Sequence, residues 1–145
     1  TGIQPILVHA GPGTFEPVRS DDPRRHRLDA DYSEDSSESA EEINRRRAAG
    51  GRAIAVGTTS VRALETAVDE RGVVRDLSGW TEAFIHPPYE FGVVDVLITN
   101  FHLPQSTLLM LVAAFAGYEN LMRAYEEAVR ENYRFYSYGD AMMVV

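Results

Sequence analysis

The chain has 145 residues, of which 44% are hydrophobic and 25% are charged, a composition typical of one globular domain or of a fragment of one. It contains no cysteine and its 14 cationic residues are all arginine, which excludes disulfides, thiolate metal sites, cysteine nucleophiles and Schiff-base chemistry on lysine. The net charge of −8 predicts weak binding of nucleic acid by this chain alone, because neutralising phosphates requires clustered cations.

The N-terminal quarter predicts two short strands and then a polar segment. Ile3 to His9 is apolar and predicts a buried strand, which Gly11-Pro12-Gly13 interrupts before a second short strand from Thr14 to Val18. Residues 20–38 are acidic and rich in serine, with few apolar anchors. This composition favours a solvated excursion, with binding of a partner as the alternative.

Helix and strand signals alternate through the rest of the chain. Ser39 and Glu42 fit a capping box, and Gly50-Gly51 is typical of a helix end. Helices are predicted at 40–49, 61–68, 108–116 and 119–131, and strands at 52–56, 80–85, 93–99 and 141–145. This alternation predicts a single α/β domain, or a domain fragment, over residues 1–145. We expect a mostly parallel sheet, flanked by helices, in which the strands near 4–9, 53–57 and 94–99 lie together.

The last two predicted helices differ in character. Leu108 to Ala116 is an unbroken apolar run of nine residues, which predicts a helix buried across one face of the sheet. A bilayer span needs about 20 such residues, and no secretory signal is visible, so we expect a soluble cytoplasmic protein. The final helix is amphipathic, and the residues predicted to face inwards are Leu121, Tyr125, Ala128 and Val129.

Three hydroxyl side chains follow the strand at 52–56 and begin the next helix. Thr58, Thr59 and Ser60 lie where the N–H groups of a helix have no internal partner, which favours binding of a carboxylate or a phosphate. The segment has neither the lysine of a P-loop nor the glycine spacing of a dinucleotide-binding loop. Capping of the helix by Thr58 or Thr59 is the alternative, because it needs no ligand.

Polar residues follow two other predicted strands. Asn100 and His102 follow the strand at 93–99, at the end of the sheet where ligands of α/β proteins bind, and His9 ends the first strand. A purely structural turn is the alternative for His102. Because the ends of parallel strands share one edge, we expect these three residues and the 58–60 turn to line one concave surface. The spacing of the four histidines predicts no metal site.

An aromatic segment precedes the last strand. Tyr133, Phe135, Tyr136 and Tyr138 surround Arg134, a composition suited to stacking of a nucleic-acid base. Packing in the hydrophobic core is the alternative. The sequence alone leaves both open.

Four segments in this order closely resemble the S-adenosylmethionine:tRNA ribosyltransferase-isomerase family of queuosine biosynthesis. They are His9-Ala-Gly-Pro-Gly-Thr-Phe15, the segment Ile54 to Glu65 around Gly57-Thr-Thr-Ser60, the segment Thr99 to Val112 around Asn100-Phe-His-Leu-Pro104, and Tyr133-Arg-Phe-Tyr-Ser-Tyr-Gly-Asp-Ala-Met142. The resemblance covers nearly the whole chain but only the C-terminal portion of the longer family members. It implies an α/β domain that belongs with a β-barrel domain absent from this chain.

The resemblance implies a specific reaction. The ribosyl moiety of S-adenosylmethionine is transferred to 7-aminomethyl-7-deazaguanine at the wobble position of tRNA, which gives epoxyqueuosine and releases adenine and methionine. S-adenosylmethionine and tRNA are then the partners, with no further cofactor and no membrane. For this chain His102 and His9 are the candidates for proton transfer, and Thr58, Thr59, Ser60, Arg62 and Asn100 are the candidates for substrate binding. For Arg62 a structural ion pair is the alternative.

The chain departs from the family pattern at three positions. Gln105 stands where lysine is usual, Asp29 replaces a usual histidine, and Asp31 replaces a usual glutamate. Two alternative functions therefore remain open in addition to the enzyme. One is a catalytically incomplete paralogue or fragment that binds a nucleoside or S-adenosylmethionine without turnover, and the other is an interaction domain that works through its acidic segment.

Overall fold

A computed structural model of the chain describes residues 2–11, 28–34, 37–75 and 78–145. Its elements in chain order are β1 (Leu7–His9), β2 (Asp31–Glu34), α1 (Ser37–Ala48), β3 (Ile54–Val56), α2 (Thr58–Ala67), β4 (Gly79–Thr81), β5 (Val96–Asn100), α3 (Thr107–Ala116), α4 (Tyr118–Arg130), a 3-10 turn (Tyr136–Tyr138) and β6 (Ala141–Val144). The predicted α/β class is therefore confirmed. The strand predicted at Thr14 to Val18 lies outside the described residues.

The described strands form two three-stranded sheets. One has the order β3-β5-β6, in which β3 and β5 are parallel and β6 runs antiparallel to β5. The other has the order β1-β2-β4, and both of its pairings are antiparallel. The prediction that the strand near 4–9 joins the two parallel strands is therefore wrong, because β1 pairs with β2 instead. The expected mostly parallel sheet is wrong as well, because among the described strands β3 and β5 form the one parallel pairing.

Part of the acidic segment forms the central strand β2. Asp31 and Ser33 are buried there, while Tyr32 packs against Trp80 of β4 with ring centroids 5.1 Å apart. The expectation of a solvated excursion is wrong for residues 31–34, because their inward polar groups have partners inside the protein. Asp31, for example, pairs with Arg62 of α2.

Of the two boundaries predicted for helix α1, the N-terminal one is wrong and the C-terminal one is confirmed. Ser39 is buried inside the helix, which begins at Ser37, so the capping-box prediction is wrong. The glycine end is confirmed. Gly50 has φ +82° and donates to the carbonyl of Arg47 at 2.9 Å, while Gly51 donates to the carbonyl of Arg46 at 3.0 Å. This is the Schellman arrangement, which needs a residue in the left-handed conformation.

The hydrophobic core lies between α2, α3 and the sheet that contains β5. Leu97 of β5 is fully buried, and Leu111 and Val112 of α3 belong to the same core cluster. The predicted buried helix is thus confirmed. In α4 Leu121 is buried, but Val129 is 66% exposed, so its predicted inward position is wrong. None of the helices in the described part of the chain is long and apolar enough to cross a membrane.

Candidate functional site

The ends of β3 and β5 lie side by side and form one edge of the sheet. The two strands are parallel, and the N–H group of Gly57, just after β3, donates to the carbonyl of Ile98 in β5 at 2.8 Å. Thr58 to Ser60 and Asn100 to His102 therefore emerge at the same edge. The structure brings these two predicted segments together, and we call this region the strand-end site.

Helix α2 begins at the strand-end site without a side-chain cap. Its N-cap residue is Gly57, whose φ of +92° strongly favours glycine, and no side chain makes a capping hydrogen bond. Thr58 is buried, Thr59 is half-buried, and the Ser60 hydroxyl donates to the carbonyl of Val56 at 2.9 Å. Neither threonine caps the helix, so the capping alternative is wrong. An uncapped helix start presents N–H donors and a positive dipole end to an anion.

His102 follows β5 at the same edge of the sheet, and its imidazole is buried. Its Nε2 atom lies 2.9 Å from the hydroxyl of Thr99, and its backbone N–H donates to the hydroxyl of Tyr125 at 2.7 Å. Burial lowers the pKa of His102 to about 4, so the ring is neutral at pH 7. A neutral imidazole is a proton acceptor.

Asn100 is exposed, and its side-chain amide donates to the carbonyl of Asp140 at 3.4 Å.

His9 does not share this edge through strand pairing. It ends β1 in the other sheet, and that strand packs against α2. Its side chain is exposed, with Nε2 3.9 Å from the carboxylate of Glu34. The sequence predicted that three strands end at this edge, whereas the structure places the ends of β3 and β5 there and β1 in the other sheet.

Arg62 makes the structural ion pair that was the alternative to substrate binding. Its guanidinium pairs with Asp31, and its Nε atom donates to the carbonyl of Ala83 at 2.9 Å. Nη2 lies 3.4 Å from the carbonyls of Asp29 and Thr81. Burial lowers the pKa of Arg62, and the charge of Asp31 opposes that shift. These contacts direct the guanidinium towards the antiparallel sheet.

Glu65 is a positioning residue that the sequence analysis did not identify. Its carboxylate accepts hydrogen bonds from the N–H groups of Gly92, Val93 and Val94 at 2.7, 3.1 and 3.0 Å. These bonds fix the segment that leads into β5. A charged residue next to Leu64 on the apolar face of α2 was the signal available in the sequence.

The aromatic segment borders the other side of β5. Phe135 packs against Phe101 with ring centroids 5.3 Å apart, which supports the core alternative for that residue. Tyr136 and Tyr138 are instead exposed, by 38% and 85%. The backbone N–H of Tyr136 donates to the carbonyl of Phe101 at 2.8 Å, so the backbone of the segment contacts the strand-end site at Phe101.

The arginine cluster of α1 is engaged within the chain. Arg45 and Arg46 both pair with Glu42, which lowers the pKa of that carboxyl to about 2. Arg47 donates to two backbone carbonyls. The other cluster, at 24–27, lies outside the described residues. Weak binding of RNA by this chain alone stays a prediction.

Comparisons with known proteins point to one family. A family model described as queuosine biosynthesis protein matches residues 1–144. The chain is 57% identical over 143 residues to the S-adenosylmethionine:tRNA ribosyltransferase-isomerase of Pelotomaculum thermopropionicum, and 55% identical over 143 residues to that of Symbiobacterium thermophilum. Each alignment covers 99% of this chain and 42% of the relative. The chain thus spans about 42% of the length of these curated relatives.

A solved structure has the same fold. The crystal structure of S-adenosylmethionine tRNA ribosyltransferase from Thermotoga maritima superposes with a TM-score of 0.71 and 47% sequence identity. The match covers 79% of this chain and 40% of the crystallised chain.

Proposed function

The chain belongs to the queuosine biosynthesis protein family, and on that premise we propose that it forms the donor-binding part of an S-adenosylmethionine:tRNA ribosyltransferase-isomerase. The complete enzyme transfers the ribosyl moiety of S-adenosylmethionine to 7-aminomethyl-7-deazaguanine in the wobble position of tRNA, in the cytoplasm. Adenine and methionine leave, so S-adenosylmethionine is a substrate rather than a cofactor. The observation that carries the proposal is that the uncapped start of α2 and His102 lie at the same edge of the sheet.

The start of α2 binds the carboxylate of the methionyl group. Thr58, Thr59 and Ser60 contribute the first N–H groups of the helix, and no side chain caps them. A negative charge at such a position gains about 0.3–1 kcal/mol, and up to about 2 kcal/mol where it is partly buried. The hydroxyl of Thr59 lies at the same helix start and offers a further hydrogen bond to a carboxylate or a ribose.

His102 accepts the proton that must leave the carbon beside the sulfonium. Its pKa of about 4 keeps the imidazole unprotonated at neutral pH, and the hydroxyl of Thr99 at 2.9 Å from Nε2 orients the ring. A positioned general base typically contributes about 10²–10⁴-fold to a rate. Asn100, at the exposed end of β5, hydrogen-bonds the ribose.

His9 donates a proton to the leaving adenine in this proposal. It is contributed from the neighbouring sheet, by a strand that packs against α2. Its imidazole is exposed and so accessible to a ligand. Arg62 acts on the fold, since its guanidinium is engaged with Asp31 and backbone carbonyls.

The test uses the full-length protein that carries this chain, with S-adenosylmethionine labelled in the ribosyl carbons and tRNA that holds the deazaguanine precursor. We expect label to appear in the tRNA, with adenine and methionine released in equal amounts. Binding of S-adenosylmethionine without release of adenine contradicts the enzyme and supports the binding module. Calorimetric titration with S-adenosylmethionine separates these two outcomes.

A further inference from the structure

Two hydrogen bonds join the ends of the loop from Arg134 to Asp140, which contacts the strand-end site at Phe101. The N–H of Arg134 donates to the carboxylate of Asp140 at 2.8 Å, and the N–H of Asp140 donates to the carbonyl of Arg134 at 2.8 Å. A Cβ atom at Gly139 would clash with the carbonyl oxygen of Arg134, so glycine is required there. The fold thus specifies where this loop lies.

The loop holds Tyr136 in a conformation that its side chain disfavours. Tyr136 has φ +64°, the left-handed region, in which a bulky residue is an outlier and glycine carries no strain. The backbone position is fixed by the hydrogen bond from its N–H to the carbonyl of Phe101. With 38% of the residue exposed, burial gives little reason for a tyrosine here. Strained residues of this kind cluster at ligand sites.

The start of α2, His102 and the loop of Tyr136 lie at the ends of three neighbouring strands. β5 is the middle strand, with β3 on one side and β6 on the other. The start of α2 follows β3, His102 follows β5, and the Tyr136 loop precedes β6, whose Ala141 pairs with Asn100. Neighbouring strands lie about 4.8 Å apart, so the helix start and the aromatic loop are separated by roughly two such spacings, or about 10 Å.

We infer that Tyr136 stacks on the adenine base of the donor whose carboxylate lies at the start of α2. The identity of the donor rests on the proposed function, whereas the role of the residue rests on the positive φ of Tyr136, its exposure and its backbone hydrogen bond to Phe101 in the strand-end site. A phenol ring offers a stacking face to a purine. An RNA base fits less well, because the chain carries a net charge of −8 and Arg134 is paired with Asp140.

The test compares variants of the full-length protein that change the ring and the strain separately. Tyr136→Gly removes both, Tyr136→Phe keeps the ring, and Asn132→Gly is the matched control, since Asn132 also has a positive φ of 57° but no ring. Calorimetry gives the Kd for S-adenosylmethionine and for an anticodon stem-loop, and thermal unfolding gives Tm.

We expect Tyr136→Gly to keep or raise Tm and to weaken binding of S-adenosylmethionine about tenfold or more, which is the range for loss of one stacked base. Tyr136→Phe and Asn132→Gly should bind like the wild type. Unchanged binding of S-adenosylmethionine by Tyr136→Gly overturns the inference while the proposed function stands, as does a defect confined to the stem-loop. If the wild type binds no S-adenosylmethionine, the proposed function fails and the inference fails with it.

Discussion

Arg62 of α2 and Asp31 of β2 form an ion pair in which the side chains are only 2% and 0% exposed. The pair joins the helix that follows the parallel strand β3 to the central strand of the antiparallel sheet. It therefore ties α2, whose first turn is the proposed anion site, to the antiparallel sheet. This role explains why a charged residue is tolerated in the interior.

Removing one partner of this pair should destabilise the protein strongly. Arg62→Ala leaves Asp31 buried without its cation, which costs about 3–5 kcal/mol of unfolding free energy. Arg130→Ala is the control, because its pairs with Glu127 and Glu131 are exposed and such pairs contribute about 0–1 kcal/mol. Urea unfolding measures both variants. Equal losses from the two would contradict the structural role of Arg62.

Glu65 should act on the fold through its hydrogen bonds to the segment before β5. Glu65→Gln keeps the size but replaces one acceptor oxygen by an amide that faces N–H donors, so we expect a loss of about 1.5–3 kcal/mol. Glu126→Gln, at an exposed position on α4, is the control. Hydrogen exchange at the amides of Gly92 to Val94 should accelerate in Glu65→Gln alone. Unaltered protection there would show that the carboxylate is dispensable.

The turn before α2 should tolerate no side chain. Gly57→Ala forces a Cβ atom into a backbone conformation at φ +92°, for which we expect a cost of about 1–3 kcal/mol. Gly11→Ala is the comparison, since its added Cβ would meet its nearest neighbour, the Cβ of Asp29, at an ordinary 3.7 Å. Thermal unfolding of both variants measures the difference. A Gly57→Ala variant as stable as Gly11→Ala would show that the turn has an alternative conformation.

Burial of His102 should make stability depend on pH in one window. Its pKa falls from 6.5 to about 4 on folding, so the unfolded chain binds the proton more tightly. The stabilisation of the folded state by unprotonated His102 is complete above about pH 6.5. It is lost as the pH falls towards 4, with a total on the order of 3 kcal/mol of unfolding free energy. His102→Gln should flatten the unfolding free energy between pH 6.5 and 4. An unchanged pH dependence in that variant would contradict the burial.

Local signals in the sequence predicted the parts of the fold that depend on neighbouring residues. The run before Gly57 and the run before Asn100 are apolar and end in polar turns, which was enough to predict the parallel pair β3 and β5. Gly50 ended α1 as predicted, because a left-handed helix end is a property of a few consecutive residues. The same local reasoning brought Thr58 to Ser60 and His102 to one edge.

Contacts between distant residues explain what the sequence did not predict. The strand at 31–34 has an acidic sequence, and its burial depends on Arg62, which lies 31 positions further along the chain. Once that segment forms a strand, β1 pairs with it rather than with β3. The strain at Tyr136 depends likewise on the carbonyl of Phe101, 35 residues earlier in the sequence.

The central claim is that the strand-end site performs the chemistry on S-adenosylmethionine, and His102 tests it most directly. The measurement is the single-turnover rate of ribosyl transfer to precursor tRNA by the full-length protein. His102→Ala and His102→Gln are compared with His86→Ala, whose ring lies outside the strand-end site, with Nδ1 3.0 Å from the carbonyl of Pro87. With folding verified by circular dichroism, we predict a loss of about 100-fold or more for both His102 variants and an unchanged rate for His86→Ala. Rates within tenfold of the wild type in folded His102 variants would contradict the account.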